Sequence, residues 1–144
     1  MRNSINSLQQ VIRVLTFGVY DLLHIGHIQL FKNAKQLGNE LIVAVQDGDY
    51  IKKYKPSAEM VFSTEERLFM VESIKYVDKV LIYKDVNIDI KKIDFDVLAK
   101  GPDQNHAGFQ EAEQWCLENG KTVVVIPRTE GISSSILREI PKLL

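Results

Sequence analysis

Five short apolar runs punctuate the chain: Val11 to Phe17, Leu41 to Val45, Val80 to Tyr83, Val97 to Ala99 and Val123 to Ile126. They are rich in Val and Ile and show little polar alternation, the pattern of parallel strands covered on both faces. Between them the apolar period lengthens. Ile28, Leu30, Phe31, Ala34 and Leu37 form a stripe at helical spacing, stopped by Gly38. Ser63 and Glu66 make a capping box ahead of Leu68, Phe69, Val71 and Ile74, which predicts a helix from about Thr64 to Lys75. A third helix is predicted over Phe109 to Glu118, ended by Asn119-Gly120, and a last short one over Ser134 to Ile140, ended by Pro141.

Strand and helix in alternation imply right-handed crossovers and an α/β, Rossmann-like sheet of five mainly parallel strands flanked by helices. In such a sheet ligands gather beyond the carboxyl ends of the strands. Four chemically loaded segments fall at strand exits: Phe17 to His27, Asp47 to Pro56, Lys100 to His106 and Arg128 to Ser135.

Composition narrows the picture. At 144 residues and 45% hydrophobic content the chain is expected to fold as a single domain over 1–144, with a polar extension over 1–10. A formal charge of −1, with acids and bases interspersed, offers no basic field for nucleic acid, so any anion site must be local. The single cysteine, Cys116, excludes an internal disulfide framework and suits a reducing cytoplasm. No stretch has the length of a bilayer span or the apolar core of a signal peptide, so a cytoplasmic protein with no membrane partner is expected.

The sharpest feature is His24-Ile25-Gly26-His27, just after the first strand and at the start of the first helical stripe. Two imidazoles three residues apart share one helical face beside the free N–H groups of a helix start, where polyphosphate can be gripped. Such donors stabilise charge developing on phosphate. Asp21, His24 and His27 also have metal-like spacing, but no fourth ligand stands nearby, so a direct metal site is not expected. Arg128-Thr129-Glu130-Gly131-Ile132-Ser133-Ser134-Ser135 supplies a guanidinium, a glycine and hydroxyls at a second helix start. Alone it reads equally as a serine-capped helix. With the first segment it makes two positive helix starts suited to one triphosphate.

Gly18-Val19-Tyr20-Asp21-Leu22-Leu23-His24-Ile25-Gly26-His27 together with Arg128-Thr129-Glu130-Gly131-Ile132-Ser133-Ser134 resembles the cytidylyltransferases, most closely those acting on glycerol 3-phosphate. Ala34-Lys35-Gln36-Leu37-Gly38, Glu66-Arg67 and Tyr76-Val77-Asp78-Lys79-Val80 extend the resemblance over about 13–140. It implies attack by a substrate phosphate oxygen on the α-phosphorus of CTP, with release of pyrophosphate and no covalent enzyme intermediate.

By the same resemblance His24, His27, Lys55 and Arg128 are the expected catalytic residues. Phe17, Gly18, Tyr20, Asp21, Gly26, Lys100, Asp103, Gly131, Ile132, Ser133 and Ser134 are expected to bind nucleotide. Lys55, Arg67, Gln104 and Asn105 are expected to face the acceptor, with an exposed helix arginine as the plain alternative for Arg67 and a helix cap as the plain alternative for Asn105 and His106. Mg2+ is expected to arrive with CTP, held largely by phosphate oxygens and water, with Asp21 touching it indirectly or bracing the histidine turn. A homodimer is expected from the resemblance, with its interface near the His24 helix start.

The chain departs from that family at Lys100-Gly101-Pro102-Asp103-Gln104, which looks more like the sugar-phosphate nucleotidylyltransferases and leaves the acceptor open among polyols, amines, amino-acid derivatives and sugars. Choline is disfavoured because no aromatic cage stands in this loop. A nucleotide-binding module without turnover and a fragment of a class I aminoacyl-tRNA synthetase are the other readings; the retained histidines, Lys55 and Arg128 weigh against the first, and length and balanced charge against the second.

Overall fold

The structure is a computed structural model and describes residues 11–128. Gly131, Ile132, Ser133, Ser134 and the expected last helix lie outside the described residues.

The elements run β1 (Arg13–Gly18), α1 (Ile25–Lys35), β2 (Glu40–Gln46), α2 (Gly48–Tyr54), α3 (Thr64–Glu72), β3 (Lys79–Tyr83), α4 (Val86–Asp89), a 3₁₀ turn (Ile90–Lys92), β4 (Val97–Lys100), α5 (Ala107–Glu118) and β5 (Thr122–Val125). The five strands form one sheet in the order β3-β2-β1-β4-β5, and every pairing is parallel. Each expected strand is present to within two residues at either end.

Alternate residues along each central strand feed two separate cores, as the two-residue period of a strand requires. Leu15, Phe17, Ile42, Ala44 and Leu98 pack on one face against Val86 of α4 and Phe109, Ala112 and Cys116 of α5. Val14, Leu41, Val43, Val45 and Ala99 pack on the other against Phe31 and Ala34 of α1 and Val71 of α3. Both faces are covered, which is why these strands read as unbroken apolar runs.

Three elements differ from the sequence expectation. The segment after β2 forms α2, with Asp47 accepting from the Tyr50 amide as its N-cap. A short α4 is started by Asp85 accepting from Asn87. Helix α3 stops at Glu72 rather than continuing to Lys75, because the Ser73 hydroxyl donates to the Phe69 carbonyl at 2.7 Å and the chain turns.

The chain leaves β1 for β2 and β3, then returns to the opposite side of β1 to form β4. The ladder between β1 and β4 holds only Val14 with Val97 and Leu15 with Leu98. The carboxyl ends of β1 and β4 therefore flank the topological switch point, where a doubly wound sheet opens its ligand crevice.

Candidate active site

Helix α1 starts on an unusual cap. The Gly26 amide donates to His24 Nδ1 at 3.0 Å, and the His24 amide donates to His27 Nδ1 at 3.2 Å. Two imidazoles thus perform the reciprocal capping that Ser and Glu perform at α3, where Ser63 and Glu66 exchange the same pair of bonds. The rings are tilted by 35° to one another with centroids 4.0 Å apart and are only part-buried.

The turn that delivers them is braced from below. Tyr20 has φ of 55°, a left-handed conformation costly for a non-glycine residue. Its ring folds back over Gly18, so a Cβ there would stand 2.4 Å from Tyr20 Cζ, and it meets His27 and Phe31 edge-on at 5.5 and 5.2 Å. Gly18 is needed because the Tyr20 ring occupies the place of a side chain. Tyr20 therefore sits in the core under the histidines, and burial drives its hydroxyl far above the ordinary phenol range.

Asp21 is buried, and its carboxylate accepts from the amides of Val61 and Phe62 at 2.9 Å each. Arg67 is also fully buried, which overturns the exposed-helix alternative, and it lines the cavity described below. Its guanidinium donates to the carbonyls of Val19 and Gln46 at 2.8 Å each and of Phe62 at 3.3 Å, and to Thr64 Oγ1 at 3.2 Å. A planar fork that reaches several acceptors is what arginine supplies and lysine cannot. Asp21 and Arg67 together lock the loop before α3 onto the histidine turn. Beside this lock lies a cavity of about 460 Å³ lined by Asp47, Asp49, Lys52, Glu59, Phe62 and Thr64, among others. Lys55 is exposed at the C-cap of α2, between the cavity residues Lys52 and Ala58.

Across the switch point, the Gln104 side chain donates to the Phe17 carbonyl at 2.7 Å and accepts from Gly101 N at 3.1 Å. The amide expected to face an acceptor is spent on the backbone of both strand ends. Phe17 itself lies in the core, edge-on to Tyr83 and Phe109. Lys100, expected at the nucleotide, is buried and paired with Glu113 of α5 at 2.6 Å. Asn105 is exposed, and His106 caps α5 by accepting from Gly108, the plain alternative.

Asp103 pairs with Arg128, just beyond β5, where Ile126 N bonds to Lys100 O. Burial lowers the His24 pKa, and the nearby Arg128 cation lowers it further. His27 is pushed down to about 4 by burial and then by His24. The charge of Arg128 thus acts on His24. The start of α1 carries the imidazole pair, and the end of β5 is followed by a guanidinium held by Asp103 of the loop after β4.

A fold of this kind, with a histidine-capped helix at its switch point, defines a nucleotidyltransferase, and residues 15–140 match the model of the cytidylyltransferase-like family, to which this chain belongs. It is 38% identical over 131 residues to the glycerol-3-phosphate cytidylyltransferase of Staphylococcus aureus, covering 88% of this chain and 92% of that one. It is 45% identical over 96 residues to the FAD synthase of Thermococcus kodakarensis, covering 65% and 64%. Among solved structures, the lipopolysaccharide core biosynthesis protein of Thermoplasma volcanium superposes with a TM-score of 0.67 at 28% identity, covering 83% of this chain and 98% of that one.

Proposed function

We propose that this enzyme transfers CMP from CTP to a small phosphorylated acceptor, glycerol 3-phosphate first among them, giving a CDP-linked product and pyrophosphate. The observation that carries the reading is the His24–His27 pair that caps α1 at the switch point, with the charge of Arg128 acting on His24, which together supply donors and a fixed cation for one triphosphate. Because both reactants are anions and the nucleophilic oxygen is already ionised, catalysis consists of alignment and charge neutralisation. His24 and His27 steady charge on the transferring phosphorus and the departing pyrophosphate, and Arg128 holds the β- and γ-phosphates. Lys55 bridges acceptor and nucleotide, and the cavity carboxylates Asp49 and Glu59 accept hydrogen bonds from the acceptor's hydroxyls.

Among the described residues no group of three or more His, Cys, Asp or Glu side chains is arranged to hold a metal, and Asp21 is bonded to two amides. We propose that Mg2+ enters as part of the nucleotide substrate, ligated by phosphate oxygens and water. We place the enzyme in the cytoplasm with its nucleotide; no described helix is long and apolar enough to cross a membrane. We also propose a homodimer, with the exposed Ile25 beside His24 supplying apolar contact surface.

The FAD synthase relatives support a second reading, transfer of AMP from ATP to FMN. Incubating the protein with Mg2+ and either CTP or ATP, against a panel of glycerol 3-phosphate, other phosphorylated polyols and amines, and FMN, separates the two by product mass and pyrophosphate yield. CDP-glycerol from CTP is the expected result. FAD from ATP and FMN, with no cytidylylated product, would replace the first reading by the second.

A further inference from the structure

Thr64 is the first residue of α3, but it does not cap that helix, because Ser63 accepts from the Glu66 amide and fills the role. The Thr64 hydroxyl is spent elsewhere. Its oxygen accepts from the Gly48 amide at 2.9 Å and from Arg67 Nη2 at 3.2 Å, and neither of these groups can accept in return. A hydroxyl has two lone pairs and one proton, so with both lone pairs taken its proton must point to a third partner. Among the described residues the hydroxyl makes no bond as a donor. Thr64 and Gly48 both line the cavity of about 460 Å³. A Cβ at position 48 would stand 3.1 Å from Thr64 Oγ1, so the glycine leaves the approach to that oxygen open.

We propose that Thr64 determines which acceptor the enzyme takes: its hydroxyl donates to a hydroxyl oxygen of the acceptor and selects phosphorylated alcohols over the matching phosphorylated amines. This rests on the nucleotidyl-transfer reading and names the group that reads the acceptor's body.

The charges of the cavity decide which part of the acceptor enters. Asp47, Asp49, Glu59 and Glu65 outnumber Lys52 and Arg67 there, and the Arg67 guanidinium is committed to the carbonyls of Val19, Gln46 and Phe62. A phosphate dianion is therefore held off, and the end of the molecule remote from the phosphate goes in. A hydroxyl at that end answers both kinds of neighbour, accepting from Thr64 and donating to Asp49 or Glu59. An ammonium has three donors and no acceptor. The carboxylates attract it, but it leaves the Thr64 proton unanswered, and a site built to pair with a hydroxyl rejects the analogue that cannot.

The test is steady-state kinetics of the full chain with CTP and Mg2+ on hydroxyethyl, aminoethyl and ethyl phosphate, which differ only at the end remote from the phosphate. Wild type should favour the hydroxyl compound over each of the others by about tenfold or more in kcat/KM. Thr64→Val should abolish that preference through the acceptor KM with the CTP KM unmoved, and Thr64→Ser, which keeps the hydroxyl, should restore it. A threonine that only ties α2 to α3 would instead lower all three acceptors alike. Gly48→Ala keeps the hydroxyl and both of its donors but covers the oxygen, so it should shrink the preference too and reads the same point if Thr64→Val does not fold. Equal or better use of the amine by wild type, or a full preference surviving in either folded variant, overturns the proposal and leaves the transferase reading intact. No transfer to any phosphorylated alcohol, glycerol 3-phosphate included, removes both.

Discussion

The Gln104 side chain ends on the carbonyl of Phe17 at 2.7 Å, joining the carboxyl end of β1 to the loop after β4 across the crevice of the sheet. The same amide accepts from Gly101 N, so one side chain sets the separation of the two strand exits. Gln104→Ala should cost about 1–3 kcal/mol in chemical denaturation, since it leaves two backbone groups short of a partner. CTP affinity should fall with it because the loop carrying Asp103 is released. Calorimetry giving an unchanged dissociation constant would contradict this.

Gly18→Ala should destabilise by about 1–3 kcal/mol, because the new methyl enters the space of the Tyr20 ring. The effect should be conditional. In a Tyr20→Ala background the same substitution should cost much less, and a double-mutant cycle in thermal denaturation measures the difference. Equal costs in both backgrounds would show that the ring is not what Gly18 accommodates.

Arg67→Lys keeps the charge and loses the fork, so the carbonyls of Val19, Gln46 and Phe62 cannot all be served. A loss of about 2–4 kcal/mol is expected. An arginine that merely held the acceptor phosphate would instead raise the acceptor KM and leave Tm unchanged.

The depressed pKa of His27 makes stability depend on pH. The unfolded chain takes up the proton near the ordinary value of about 6.5, and the folded chain near about 4. Within that interval the unfolded state binds more protons, so the contribution is full above pH 6.5 and is lost as pH falls towards 4. Tm measured from pH 7 to pH 4 should fall more steeply for the wild type than for His27→Asn. Parallel slopes would remove His27 as the source.

The strands and the starts of α1 and α3 are legible because burial on both faces and capping chemistry are local signals. Helix α3 shows where that legibility ends. Its apolar pattern sets Phe69 in the core and Arg67 in solvent, yet Phe69 is 70% exposed and Arg67 is 0% exposed. Backbone carbonyls of Val19 and Gln46, from two distant segments, and of Phe62 just ahead of the helix make that arginine's burial favourable, and no hydrophobic pattern records them. Lys100 is concealed in the same way by Glu113, thirteen residues later on another element. The short helices α2 and α4 carry only an aspartate cap and too few apolar positions to establish a period. The histidine pair was visible as a motif, whereas its reciprocal Nδ1 capping required coordinates.

The central claim is that the imidazole pair and Arg128 grip one triphosphate. It is tested most directly by turnover and CTP affinity of His27→Ala, Arg128→Ala and the double variant. Each single change should lower kcat by about 100-fold or more, with CTP affinity falling far less for His27→Ala than for Arg128→Ala, and the double variant should lose much less turnover than the product of the two, as groups serving one transition state do. Undiminished turnover in either single variant, or losses that simply multiply, would contradict it.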